Sequence, residues 1–204
     1  MELLKIISNK AFYNQFEDIA RNLFSEYELV AGNKIYELCE LEFYYNSSDH
    51  DDPYIHGDEM QKTNSQWYFH GSGIDITLGC SENNSYGGIL IRGIKDIENF
   101  SKFISGPLLV AKELFYQHGG IELSSIPFGL KRKDMPRNLD NDFVATTRIN
   151  LPNRNEIVFR EKAYRFVTHI CSKHAFKEKG KVAQVFKTMY PNFDLIEKFG
   201  YKIL

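Results

Sequence analysis

Between residues 35 and 45, apolar and polar side chains alternate with the period of two that marks a half-buried strand. Ile35, Cys39, Leu41, Phe43 and Tyr45 fall on one side, and Tyr36, Leu38, Glu40, Glu42 and Tyr44 on the other. Two carboxylates set the second side apart from an ordinary core face. Upstream, Phe12, Phe16, Ile19, Ala20, Leu23 and Phe24 recur at spacings of three, four and seven, which predicts a helix over 9–29 with one face on the core. Gly32-Asn33 marks the turn between the two elements. Downstream, residues 46–66 are rich in Asn, Ser and Asp and predict a surface loop of the kind that carries function.

Strands are expected over 74–79 and 86–94, with Gly87-Gly88 at the entry to the second, and Trp67-Tyr68-Phe69 reads as a core segment. A helical turn is expected over 97–103, then a helix opening at Gly106-Pro107 and closing at Gly119-Gly120. Residues 121–142 predict a strand and then an irregular basic loop; 146–151 and 163–169 read as strands, and 182–189 and 193–199 as helices. These elements describe an α+β fold: a single domain with a curved mixed or antiparallel sheet and peripheral helices. At 204 residues, 43% hydrophobic and 14% aromatic, the chain suffices for one sizeable core.

The net charge of −2 conceals an asymmetry. Residues 1–100 hold 7 Lys or Arg against 17 Asp or Glu, a balance of −10, while residues 101–204 hold 18 against 10, a balance of +8. A basic half suits a phosphate backbone; equally, the two halves pair with one another inside one domain. Cys39, Cys80 and Cys171 lie far apart without paired spacing, so neither a disulfide framework nor a zinc site is indicated. No stretch has the length and apolarity of a signal peptide core or a membrane span, and the expectation is a cytoplasmic protein with no membrane partner.

In order along the chain come Glu40-Leu41-Glu42-Phe43-Tyr44, then Asp52-Pro53 with His56, then Ile89-Leu90-Ile91-Arg92, Gly106-Pro107, Arg148-Ile149 and Tyr164-Arg165-Phe166-Val167. This ordered series resembles the alkyladenine (3-methyladenine) DNA glycosylase family over about residues 18–168. The resemblance implies a methylpurine-DNA-glycosylase-like core over 1–169, with 170–204 a helical, basic C-terminal extension. It also implies excision of a damaged purine from DNA. Glu42 would activate the water that attacks a flipped-out nucleotide, Arg92 would support it, and Tyr44 and His56 would flank the base. On the residues alone, an arginine inside an Ile/Leu run needs an acidic partner, and Glu42 is the best placed.

Where the family carries tyrosines after Gly71-Ser72-Gly73, this chain has Asp75 and Leu78. Leu78 would serve as an apolar wedge in the duplex, and Asp75 would bring a second carboxylate into the pocket. His70 joins the same candidate set, and Lys131, Arg132, Lys133 and Arg137 are candidate phosphate contacts. DNA, duplex or single-stranded, is the expected partner; no obligate protein partner and no cofactor are implied. His50, Asp52, His56, Glu59 and His70 are ligand types that suit a metal, but their spacing is not that of a known ligand set and the chemistry requires none. Hydrolysis of another nucleoside or nucleotide on the same scaffold, and a non-catalytic nucleic-acid-binding role, stay open.

Overall fold

The computed structural model describes residues 4–7, 10–99, 102–118, 128–153 and 157–200. The first helix, α1 (Phe12–Glu26), passes directly into a strand, β1 (Tyr27–Ala31), so residues 27–29 are extended where the periodicity predicts helix. Pairing explains the change. β1 folds back through Gly32-Asn33 onto β2 (Lys34–Ser47), and alternation buries Leu29 and Ala31 in the core.

β2 is the spine of the sheet. Its first residues pair with β1, most of its length pairs with β6 (Tyr86–Asp96), and β10 (Arg165–Thr168) takes the edge that β1 leaves, at Glu40–Glu42. The main path runs β4 (Asn64–His70), β5 (Gly73–Leu78), β6, β2, β1, β8 (Phe128–Arg132). Short strands complete it: β3 (His50–Asp51) on β2, β7 (Phe103–Ser105) on β6, and β9 (Phe143–Thr146) outside β10. Pairings among the described residues are antiparallel. The sheet curls until the two ends of the path meet, with the rings of Trp67 on β4 and Phe128 on β8 at 4.9 Å. The result is the single α+β domain that the pattern predicts, its sheet antiparallel and half-barrel in form. β3 and a 3-10 turn at Glu59–Lys62 shorten the expected loop over 46–66.

The alternation read from β2 holds from Glu40 to Tyr45 but not before it. Leu38 pairs with Ile94, Glu40 with Gly93 and Leu41 with Ile91, so Cys39 is an extra residue on β2 and Arg92 an extra residue on β6. Two offset bulges shift the faces by one residue in both strands. Tyr36 and Leu38 therefore enter the main core together with Leu41, Phe43 and Tyr45, instead of sharing the side of Glu40 and Glu42. The same core receives Phe16, Ile19, Ala20 and Leu23 from α1, with Phe16 stacked on Phe43 at 5.0 Å.

α2 (Pro107–His118) lies where Gly106-Pro107 predicts a helix start; the expected end at Gly119-Gly120 and residues 121–127 lie outside the described residues. Of the turn expected over 97–103, residues 100 and 101 also lie outside, and Phe103 opens β7. The stretch 147–151, expected as strand, leaves the sheet after β9; a short helix, α3 (Ile157–Arg160), follows. α4 (Lys179–Met189) and α5 (Leu195–Phe199) form a second core, in which Val182, Ala183, Phe186 and Phe199 cover Val144 of β9 and Val167 of β10. No helix among the described residues is long and apolar enough to cross a membrane.

At the junction of this second core with the sheet sits His174, fully buried, stacked on Phe103 at 4.7 Å and edge-on to Phe176. Burial pulls its imidazole from the ordinary 6.5 down to about 4, against the opposing pull of Glu40 and with His169 nearby. A histidine with a depressed folded-state pKa contributes stability that is complete above 6.5 and is lost as pH falls from 6.5 through 4. The loss expected from this group is about 3 kcal/mol. His174→Leu should flatten the pH dependence of chemical denaturation across that window, and an unchanged slope would remove His174 as its source.

The charge asymmetry resolves in part into pairing between the halves. Lys131 meets Glu28, Arg132 Glu26, Lys133 Glu37, Arg148 Asp52 and Arg165 Glu40.

Candidate functional site

A concavity of about 580 Å3 opens between β2, β5 and β6 on one side and the start of α2 with the segment 149–152 on the other. Its size is that of a small-ligand pocket. α2 reaches this wall because Gly73, at a φ of 148°, lets it close in; a Cβ there would stand 2.8 Å from Pro107 Cβ.

The side of β2 that carries Glu40, Glu42 and Tyr44 faces this region. Arg92, turned to the same side by its bulge, joins the two acids: Nε donates to Glu40 Oε1 at 3.0 Å and Nη1 to Glu42 Oε2 at 3.3 Å. Glu40 Oε1 takes a second bond from Arg165 Nε at 2.8 Å, and Arg165 Nη2 donates to the Lys177 carbonyl, which ties the C-terminal segment to the site. Glu42 is fully buried. Its Oε1 accepts the Ile149 N–H at 2.9 Å and its Oε2 the Tyr44 hydroxyl at 2.7 Å. Burial pushes the Glu42 carboxyl above the usual carboxylate range, and Arg92, Tyr44 and the Ile149 N–H restrain the rise. Burial also raises the Tyr44 phenol well above its ordinary value.

The two glutamates differ in access. Glu40, Tyr44 and Arg92 line the pocket, whereas Glu42 lies behind them. Sequence reasoning set Glu40 aside and left Arg165 without a role. The signal for Arg165 was the one that flagged Arg92, an arginine inside an apolar strand.

Around the mouth, Tyr54, His56, His70 and Asp75 complete the wall. The His56 and His70 rings stand 4.8 Å apart, and Tyr68 stacks on His70 at 5.1 Å. The expected grouping of Tyr44, His56, His70 and Asp75 with Arg92 is therefore found in one place. Beside it, Arg148 forms a fully buried two-pronged pair with Asp52, at 2.5 and 3.1 Å, inside a ring of Tyr44, Tyr54 and Tyr164. It also donates to the carbonyls of Phe43 and Phe159. This pair pins the segment that presents the Ile149 N–H to Glu42.

Other sequence expectations are corrected. Leu78 is no wedge: it is buried in the main core, because β5 sends Ile74, Ile76 and Leu78 to one side and Asp75 to the other. None of the four basic candidates lines the pocket. Lys131 and Arg132 are exposed on β8 and paired with Glu28 and Glu26. Lys133 is largely buried, donating to the Phe24 carbonyl at 3.0 Å and to Glu37, and Arg137 bonds Thr168 and Asp142. These two hold the fold rather than a phosphate. The metal-ligand types disperse as well: His50 is bonded to the Tyr45 carbonyl and the Tyr164 hydroxyl, and Asp52 to Arg148. Among the described residues, no three His, Cys, Asp or Glu converge as a metal would require.

No family model matches the chain. It is 31% identical over 155 residues, covering 65% of this chain and 71% of the relative, to a protein of Acanthamoeba polyphaga mimivirus described as "Uncharacterized protein L759". The chain belongs to the same family as that viral protein.

Proposed function

We propose that this protein hydrolyses the N-glycosidic bond of a nucleotide unit seated in the pocket, with a damaged purine in DNA as the substrate that the glycosylase resemblance favours. One observation carries the reading: Glu40 and Glu42 share Arg92 beneath a concavity walled by Tyr44, Tyr54 and His56. Water attacks the anomeric carbon, the carbon–nitrogen bond breaks, and the base leaves with the electron pair. Positive charge grows on the sugar in that step, and Glu40 at the pocket surface offsets it. Glu42, its carboxyl raised above the usual carboxylate range by burial, is the final acceptor of the water proton. Tyr44 lines the pocket and donates its hydroxyl to Glu42 Oε2, which offers the proton a path through the phenol, the hydroxyl giving up its own proton as it takes the new one. Arg92 keeps both carboxylates in place.

A second reading, a nucleoside or nucleotide outside a duplex, is favoured by the burial of Leu78 and by the absence of the four basic candidates from the pocket wall. Incubation with duplex and single-stranded oligonucleotides carrying 3-methyladenine, hypoxanthine or 1,N6-ethenoadenine, and with the free nucleosides, tests both. Release of free base is expected from at least one of these, with duplex or single-strand preference choosing between the readings. Equal release by a Glu42→Gln chain would take Glu42 out of its role, and no release from any substrate overturns the proposal.

A further inference from the structure

β5 is buried along its whole length, and only its pocket-facing side carries an acid, Asp75. An ionised carboxylate has about four lone-pair positions to fill. Asp75 is 2% exposed, yet among the described residues its Oδ2 receives a single long bond, from Gln61 Nε2 at 3.4 Å. Its Oδ1 has no aligned hydrogen bond among the described residues, although His70 Nε2 stands 3.1 Å away. Space for the carboxylate depends on Gly88, where a Cβ would come within 2.5 Å of Oδ2. Leaving such a group unsatisfied is unfavourable, the more so when it is charged. A polar group entering the pocket would relieve that cost.

The polarity of the partner follows from His70. The Ser72 N–H donates to His70 Nδ1 at 3.3 Å, so in the neutral ring the proton is on Nε2, which also has no aligned partner among the described residues. This end of the pocket thus holds an N–H donor and a carboxylate acceptor 3.1 Å apart. A nucleobase edge that complements them places an N–H donor next to an acceptor, as a free amino group beside a ring nitrogen does.

We infer that Asp75 and His70 select a purine that keeps a free N–H donor beside a ring acceptor, and reject one whose edge has been closed by alkylation. The inference rests on the proposed nucleotide reading for its biological setting, but base recognition is measurable without turnover. The probes are free adenine and N6,N6-dimethyladenine, which differ in that donor, titrated calorimetrically into the full chain. Adenine is expected to bind at least tenfold more tightly. Asp75→Leu, an apolar replacement of similar size, should bring the ratio close to one, and Asp75→Asn, which keeps a weaker neutral acceptor, should fall between. Thermal unfolding of both variants checks that they fold. Equal binding of the two bases by the wild type, no binding of either, or a ratio unchanged in a folded Asp75→Leu chain overturns the inference. Base selection without release of base from any oligonucleotide or nucleoside would instead strike only the hydrolase reading.

Discussion

A Glu42→Gln chain is expected to release base about 100- to 10,000-fold more slowly than the wild type, the range associated with loss of a general base. Glutamine preserves the shape of the side chain and its carbonyl can still accept the Ile149 N–H, so the variant keeps the pocket while losing the proton acceptor. The fold should tolerate the change. A buried acid whose folded-state pKa is raised holds its proton more tightly in the native chain, so its contribution to stability is fully present at low pH and fades as pH rises through the unfolded and then the folded value. A neutral amide removes that dependence. Single-turnover release, together with denaturation curves at several pH values, separates the two effects; a slow variant that is also unfolded would leave Glu42 a structural rather than a chemical part.

Arg148→Met is expected to lower stability by about 3–5 kcal/mol, the cost of leaving one partner of a buried ion pair uncompensated. Asp52, with no exposed surface, would keep its charge without a counterion, and the Phe43 and Phe159 carbonyls would each lose a donor. The aromatic ring of Tyr44, Tyr54 and Tyr164 would also lose its central cation. Because the next residue supplies the N–H that holds Glu42 Oε1, the site should loosen along with the fold. Adding Asp52→Asn should recover part of the loss, since the orphaned charge then disappears. Urea denaturation measures both; a single variant within about 1 kcal/mol of the wild type would show that the pair is not the anchor its burial implies.

Much of the candidate site was legible along the chain. Period-two alternation from Glu40 to Tyr45 placed Glu40, Glu42 and Tyr44 on one face, and Arg92 inside an Ile/Leu run demanded an acid that the structure supplies twice. His56, His70 and Asp75, named from the sequence, stand in the same pocket wall. What escaped was relational. Lys133 and Arg137 looked like free cations because their partners, Glu37 and Asp142, are assigned only when strands pair or a loop folds back.

The sequence by itself determined the α+β class, the amphipathic α1 and the acidic side of β2, because these follow from local periodicity and from the cost of burying charge. Only the tertiary structure decided which face Tyr36 and Leu38 take, that Leu78 belongs to the core, and that Glu40 rather than Glu42 reaches the pocket surface. The physical reason is register. Paired bulges at Cys39 and Arg92 exchange the faces of two strands at once, and a bulge exists between strands, so neither strand read alone contains it.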